Sequence, residues 1–155
     1  MVKPVPLDSD EELVWRALNR IMVALPRALD EDLVRETGLS LNAYATLMSL
    51  SEADNQELRM AELAAATALS ASRITRLVDE LQDRNLVTKR RCDADARGNI
   101  ARLTPEGLKR LKAAYPHHLR SARDRVMDQL DPALCRRLGK VLTQVAEELP
   151  GVSRG

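Results

Sequence analysis

At 155 residues, with 45% apolar and 30% charged side chains and a formal net charge of +1, the sequence describes one ordinary globular domain. A chain of this length buries roughly 70% of its unfolded surface without staples, and its two cysteines, Cys92 and Cys135, exclude a disulfide framework. The start, MVKPVPLDSD, lacks the apolar stretch of a signal peptide, and the longest clean apolar run (residues 21–25) is too short to span a bilayer. A cytoplasmic location without a membrane partner is therefore expected.

Leu13, Ala17, Leu18, Ile21, Met22, Leu25, Ala28, Leu29 and Leu33 recur at helical spacing and predict a first helix over residues 10–37. Pro26 falls inside it and predicts a kink near Leu25, without a stop. Gly38 suits a left-handed cap, and Ser40 can cap a second helix, Leu41 to Ala53, that turns Tyr44, Leu47 and Met48 inward. A polar loop and a short, extended LRM follow. MAELAAATAL is a short alanine-rich helix. SASRITRLVDELQDRN is a longer one, capped by Ser70, with Ile74, Leu77, Val78 and Leu81 on one face. A short helix, a tight turn and a longer helix make a helix-turn-helix.

Asn85 suits the left-handed residue that ends the longer helix, and residues 86–103 then read as a two-stranded hairpin. Thr104-Pro105 restarts helix, with Leu108, Leu111, Tyr115, Leu119, Ala122, Val126 and Leu130 in steps of three and four and Pro116 inside. Asp131-Pro132 opens a last helix carrying Leu134, Leu138, Val141, Leu142, Val145 and Leu149. The expected fold is mainly α with a small β-wing, in a single domain over 1–155. A winged helix-turn-helix lobe over 41–104 stands between outer helices at 10–37 and 105–149.

Charge is unevenly spread: residues 1–62 carry a net −6, residues 63–102 a net +3 and residues 103–155 a net +4. The hairpin region, 84–102, has six basic and two acidic residues. Such polarity attracts a polyanion, although a basic run is as commonly a solvated surface. With its apolar face buried, the longer helix leaves Ser72, Arg73, Thr75 and Arg76 exposed behind the Ser70 cap. Those residue types at that end of a recognition helix suit base edges and phosphates in the major groove. A wing would carry Arg97, beside Gly98 at the tip, to the narrow minor groove, with Asp95 orienting it and Lys89, Arg90 and Arg91 meeting phosphates.

These segments resemble the MarR family of winged-helix regulators. LSASRITRLVDELQDRNLVTKRR is similar to its recognition helix and first wing strand. DARGNIARLTPEG fits its wing signature of Asp-x-Arg, five residues, Leu-Thr and a Gly three later. The resemblance covers residues 10–149 and departs at Asn85, where the family usually has Gly. It implies a homodimer whose first and last helices (10–37 and 105–149) interlock, and a pseudo-palindromic double-stranded DNA operator. It also implies a signal that alters the spacing of the two DNA-binding lobes. The expected function is a repressor released by a small aromatic or phenolic ligand. Trp15, Arg16, Tyr44 and Met48 are candidates to line its cleft, though aromatic and Met residues at helical spacing are more often core.

Two other functions compete: a winged-helix protein–protein module, and a thiol-based sensor using Cys92 among Arg90, Arg91 and Arg97. The peroxide-sensing branch of the family keeps its cysteine on the first helix, where this chain has none. Adjacent His117 and His118 cannot ligate from one helix face, so no metal site is expected. No phosphate loop, nucleophile elbow or His-based catalytic set appears, which argues against an enzyme and a cofactor. Three aromatics are too few for stacking single-stranded nucleic acid.

Overall fold

The computed structural model describes residues 5–92 and 95–149, without the side chains of 92–98. Helix α1 (Ser9–Thr37) begins in a capping box. Asp8 accepts the N–H groups of Asp10 and Glu11, and Glu11 accepts that of Asp8, each at 2.9 Å. The helix runs on through Pro26 and ends at Gly38, whose φ of 68° is the left-handed conformation a side chain would oppose. Ser40 Oγ accepts from Ala43 N at 3.1 Å and starts α2 (Leu41–Glu52). The lobe continues with β1 (Glu57–Arg59), α3 (Met60–Thr67), α4 (Ala71–Asp83), β2 (Val87–Cys92) and β3 (Asp95–Leu103). Two further helices, α5 (Pro105–Arg125) and α6 (Pro132–Glu147), follow, capped by Thr104 and Asp131. Helical periodicity extended α5 to Leu130, but the helix ends at Arg125 and a 3-10 turn spans Met127–Gln129.

The sheet has three antiparallel strands in the order β1-β3-β2, one more than the hairpin read from the sequence. Glu57, Leu58 and Arg59 pair with Arg102, Ala101 and Ile100, while Val87 to Arg91 pair with Leu103 to Asn99 on the other side. The short extended LRM expected from the sequence falls on β1, which becomes a strand because β3 offers it a free edge. Asn85 takes a φ of 59°, as its side chain tolerates. Ala68, in the turn between α3 and α4, takes 52°, which no sequence signal announced. The turn holds it there: Leu69 N donates to Ala64 O at 3.1 Å, offsetting a strain of about 1–2 kcal/mol.

The core lies within the lobe. Leu39, Leu47, Leu50, Leu63, Ile74, Val78, Ala101 and their neighbours are almost wholly buried, with Leu33 from α1 and Leu111 and Ala114 from α5 closing it. The outer helices are different. Leu13, Val14, Ile21, Met22 and Val23 of α1 are exposed, as are Val141, Leu142 and Val145 of α6, and among the described residues α6 buries none.

The end of α4 and the wing are tied to α5 at one narrow joint. Leu86 O accepts from Thr104 N at 3.1 Å and from Thr104 Oγ1 at 3.0 Å, while Thr104 Oγ1 accepts from Gly107 N at 2.9 Å. A Cβ on Gly107 would fall 2.0 Å from Leu86 O and 2.8 Å from Leu103 Cδ1. That explains the glycine of the wing signature. A second tie joins α1 to α5: Asp32 accepts from Arg125 Nε and Nη2 at 2.7 and 3.0 Å, from Ser121 Oγ, and from Arg35 at 2.8 Å. The hydrogen bonds from Arg125, Ser121 and Arg35 hold the Asp32 carboxyl far below the usual carboxylate range.

Gly107→Ala should therefore destabilise the chain by about 1–3 kcal/mol or more, read as a lower urea midpoint, because the new methyl meets backbone and cannot be moved aside. A parental midpoint would contradict the joint. Asp32 makes the second prediction. Its folded pKa is depressed, so the stability it contributes is present above pH 4–5 and lost as pH falls through the carboxylate range. Asp32→Asn should lower the melting temperature at pH 7 and flatten its decline between about pH 5 and pH 2. Equal pH profiles for the two proteins would contradict the tie.

Candidate nucleic-acid interface

The amphipathicity of α4 is the most pronounced in the chain, and it decides what the helix shows to solvent. Ile74, Val78 and Leu81 are buried, so Ser72, Arg73, Thr75 and Arg76 stand exposed on the opposite face, as expected. Ser70 caps the helix, its Oγ accepting from Arg73 N at 3.4 Å and lying 3.3 Å from Ser72 Oγ. Thr75 Oγ1 donates to Ala71 O at 2.8 Å, which leaves its oxygen lone pairs facing out. Arg73 and Arg76 flank a shallow cleft with Ser40, Asn42, Leu77 and Glu80. The N-terminal turns of α4 thus present two guanidiniums and three hydroxyls on one convex ridge.

The wing strands stand beside that ridge. Arg91 is exposed, but the structure engages the other two strand cations with acids the sequence reading did not single out. Lys89 Nζ is ion-paired with Asp79 of α4, and Arg90 Nη2 donates to Glu57 Oε1 of β1 at 3.1 Å. Asp79 is visible in the sequence as an acid on the exposed stripe; its pairing with a residue ten positions on depends on how β2 packs. The expectations for Asp95, Arg97 and Cys92 concern side chains outside the described residues; their backbone belongs to β3 and the end of β2.

The four candidate ligand residues are not brought together within one chain. Trp15, 55% exposed, and Arg16 share a surface depression with Pro6, Leu7, Glu12, Asn19 and Arg20, and Arg16 Nη2 is paired with Glu12 Oε1 at 2.6 Å. Tyr44, 4% exposed, sits in the lobe core with its ring 4.5 Å from that of His118 on α5; Met48 packs at the edge of the same core. Burial raises the Tyr44 phenol above its ordinary pKa, with Tyr115 and Glu52 adding to the effect, and burial lowers that of His118. A second, more apolar groove runs between α1, at Ala17, Ile21, Ala24 and Leu25, and the segment just after α5, at Val126 and Leu130. Cys135 is half-buried on α6. Among the described residues no group of three His, Cys, Asp or Glu could hold a metal ion, and no helix is long and apolar enough to cross a membrane.

A helix-turn-helix followed by an antiparallel wing, with arginines on the leading turns of its second helix, defines a winged helix-turn-helix DNA-binding protein. Comparison with known proteins makes the class more definite. The sequence pattern of the MarR family matches residues 37–98. Sco3205, a MarR family transcriptional regulator from Streptomyces coelicolor solved in complex with DNA, is 33% identical and superposes with a TM-score of 0.86, over 97% of this chain and 96% of its own. AbsC, a MarR family regulator from the same organism, is 34% identical with a TM-score of 0.84, over 96% and 99% of the two chains. Transcriptional repressor MprA of Escherichia coli strain K12 is 28% identical over 123 residues, 75% of this chain and 69% of its own length. The chain belongs to the MarR family and is a transcriptional regulator.

Proposed function

We propose that the chain acts as a homodimeric repressor in the bacterial cytoplasm, binding a pseudo-palindromic operator in double-stranded DNA and released by a small aromatic or phenolic ligand. The observation that carries the DNA half is the ridge on α4, where Arg73 and Arg76 project from a helix whose opposite face is fully buried. In this reading Ser70, Ser72, Arg73, Thr75 and Arg76 enter the major groove, Arg91 reaches phosphate from the wing strand, and Arg97, oriented by Asp95, enters the minor groove. Lys89 and Arg90 take a secondary part, since each already has a carboxylate. The dimer rests on the apolar faces of α1 and α6, too extensive for a lone soluble chain and borne by the outer helices alone. A repressor's role is supported by the likeness to MprA.

Two distant neighbours support the effector. CouR from Rhodococcus jostii RHA1, 22% identical, is solved bound to p-coumaroyl-CoA, and the DNA binding of BpsR from Bordetella bronchiseptica, 18% identical, is regulated by 6-hydroxynicotinic acid. In this chain the depression on α1 supplies the matching chemistry, with Trp15 as an aromatic wall and Arg16 as a cation for a carboxylate. Tyr44 and Met48 act from the core side, where α2 would transmit a shift of α1 or α5 to the lobe. A ligand releases DNA only by favouring a conformation with the wrong lobe spacing, so ligand and operator binding are reciprocally antagonistic.

Footprinting on the DNA upstream of its own gene should show two half-sites about one helical turn apart, roughly 34 Å, protected by two chains, with affinity falling steeply in salt. Arg97→Ala should weaken that complex by about 1–3 kcal/mol, and Arg76→Ala should relax preference at particular base pairs, both with the parental fold. One chain per duplex, or parental binding by both variants, would sink the DNA reading. For the effector, titration of the complex with phenolic acids should lower operator affinity roughly 5–150-fold, and Trp15→Ala or Arg16→Ala should blunt that response while sparing DNA binding by the ligand-free protein. A parental ligand response in both variants would remove the effector from this depression.

A further inference from the structure

Two cations that a wing would ordinarily spend on phosphate are paired with carboxylates of the chain itself. Lys89 keeps only 24% of its side chain exposed, ion-paired to Asp79, and Arg90, 49% exposed, bonds Glu57, which is 25% exposed. Asp79 lies on the DNA-facing stripe: at 100° per residue, Ser72, Arg76 and Asp79 fall within an arc of about 60°. A bare carboxylate there would repel phosphates, so Lys89 neutralises it. The converse also holds. The carboxylate occupies the ammonium that a phosphate would otherwise take, and a cation already neutralised contributes less to counterion release than a bare one.

Glu57 repeats the arrangement from the other side of the sheet. It stands at the start of β1, opposite Arg102 in the register, and its side chain reaches past β3 to Arg90 on β2. Neither acid serves a helix cap or the core, and each consumes one wing cation. Arg73 and Arg76, which the proposed function assigns to base edges, are exposed on the ridge beside them. Arg73 and Arg76 on α4 and Arg91 on β2 thus stand exposed, while Lys89 and Arg90 on β2 are each engaged by a carboxylate.

We propose that Asp79 and Glu57 are positioning residues that hold Lys89 and Arg90 in internal ion pairs in place of DNA phosphates. They lower sequence-independent affinity and leave discrimination to Arg73 and Arg76. Half-exposed pairs of this kind are weak, so an operator can still open them. On DNA without an operator, nothing offsets that opening. The inference rests on the DNA-binding reading above and adds to it a residue-level account of specificity.

The test measures binding of a mixed-sequence 30-base-pair duplex lacking an operator, by fluorescence anisotropy between about 50 and 200 mM salt. The proteins are the parent, Asp79→Asn, Glu57→Gln, and Asp79→Asn combined with Lys89→Ala. Each single variant should steepen the salt slope by up to about 0.9, so that its affinity relative to the parent grows roughly three- to fourfold from the high to the low salt limit. Adding Lys89→Ala should restore the parental slope. A purely structural role would change the melting temperature and leave the slope alone, so both are recorded. Parental slopes in both single variants would overturn the proposal, as would a gain that survives Lys89→Ala, which would make Asp79 merely repulsive. Should Asp79→Asn fail to fold, Glu57→Gln decides alone, because its pair lies outside α4. A parent with no salt-dependent duplex binding would instead overturn the DNA reading, and this inference with it.

Discussion

Helix α6 finds little to fold against among the described residues of its own chain. Among the described residues it buries no side chain, yet Leu134, Val141, Leu142 and Val145 are spaced to form an apolar stripe. Sixteen residues of helix are marginal in water without packing, because nucleation is costly and each hydrogen bond adds little. The exposed apolar residues on the first half of α1 pose the same demand. In the dimer proposed above, a second copy of the chain would meet both demands at once, and paired half-sites would follow from it. The Asp32 tie matters for this reason: it fixes α1 to α5, so that whatever holds the outer helices together also holds the lobes.

The lobe itself is rigid where the DNA reading needs it to be. At Leu86 the recognition helix ends, the wing begins and α5 leaves, and the Leu86 carbonyl is shared by Thr104 N and Thr104 Oγ1 with Gly107 packed directly against it. Fixing that carbonyl fixes the angle between α4 and the wing. The weaker Lys89–Asp79 pair bridges the same two elements in the DNA-free chain. In the proposed function, major-groove and minor-groove contacts would then be made by one body, and a ligand would have only to change how two such bodies are spaced.

Much of this was legible in the sequence. The caps at Ser40, Ser70, Thr104 and Asp131 are local chemistry, and the stripe of Ile74, Val78 and Leu81 shows the period of α4 without ambiguity. Exposure of Arg73 and Arg76 follows from that stripe by subtraction. What was not legible is what depends on partners distant in sequence. The extended LRM does not say which strand it joins, Ala68 adopts a left-handed turn that its side chain disfavours, and the acids that engage Lys89 and Arg90 come from a helix and a strand 10 and 33 residues away. Trp15 and Tyr44 share helical spacing with core residues, yet only Tyr44 became core, because α1 meets the lobe at its C-terminal end alone.

The most direct measurement is hydrogen exchange of the α6 amides as a function of protein concentration, with mass followed by sedimentation. The account predicts protection of α6 and a mass of two 17.3 kDa chains at high concentration. On dilution below the dissociation constant, protection in α6 should be lost while the buried helices of the lobe stay protected. A single-chain mass with α6 protected at every concentration would contradict it.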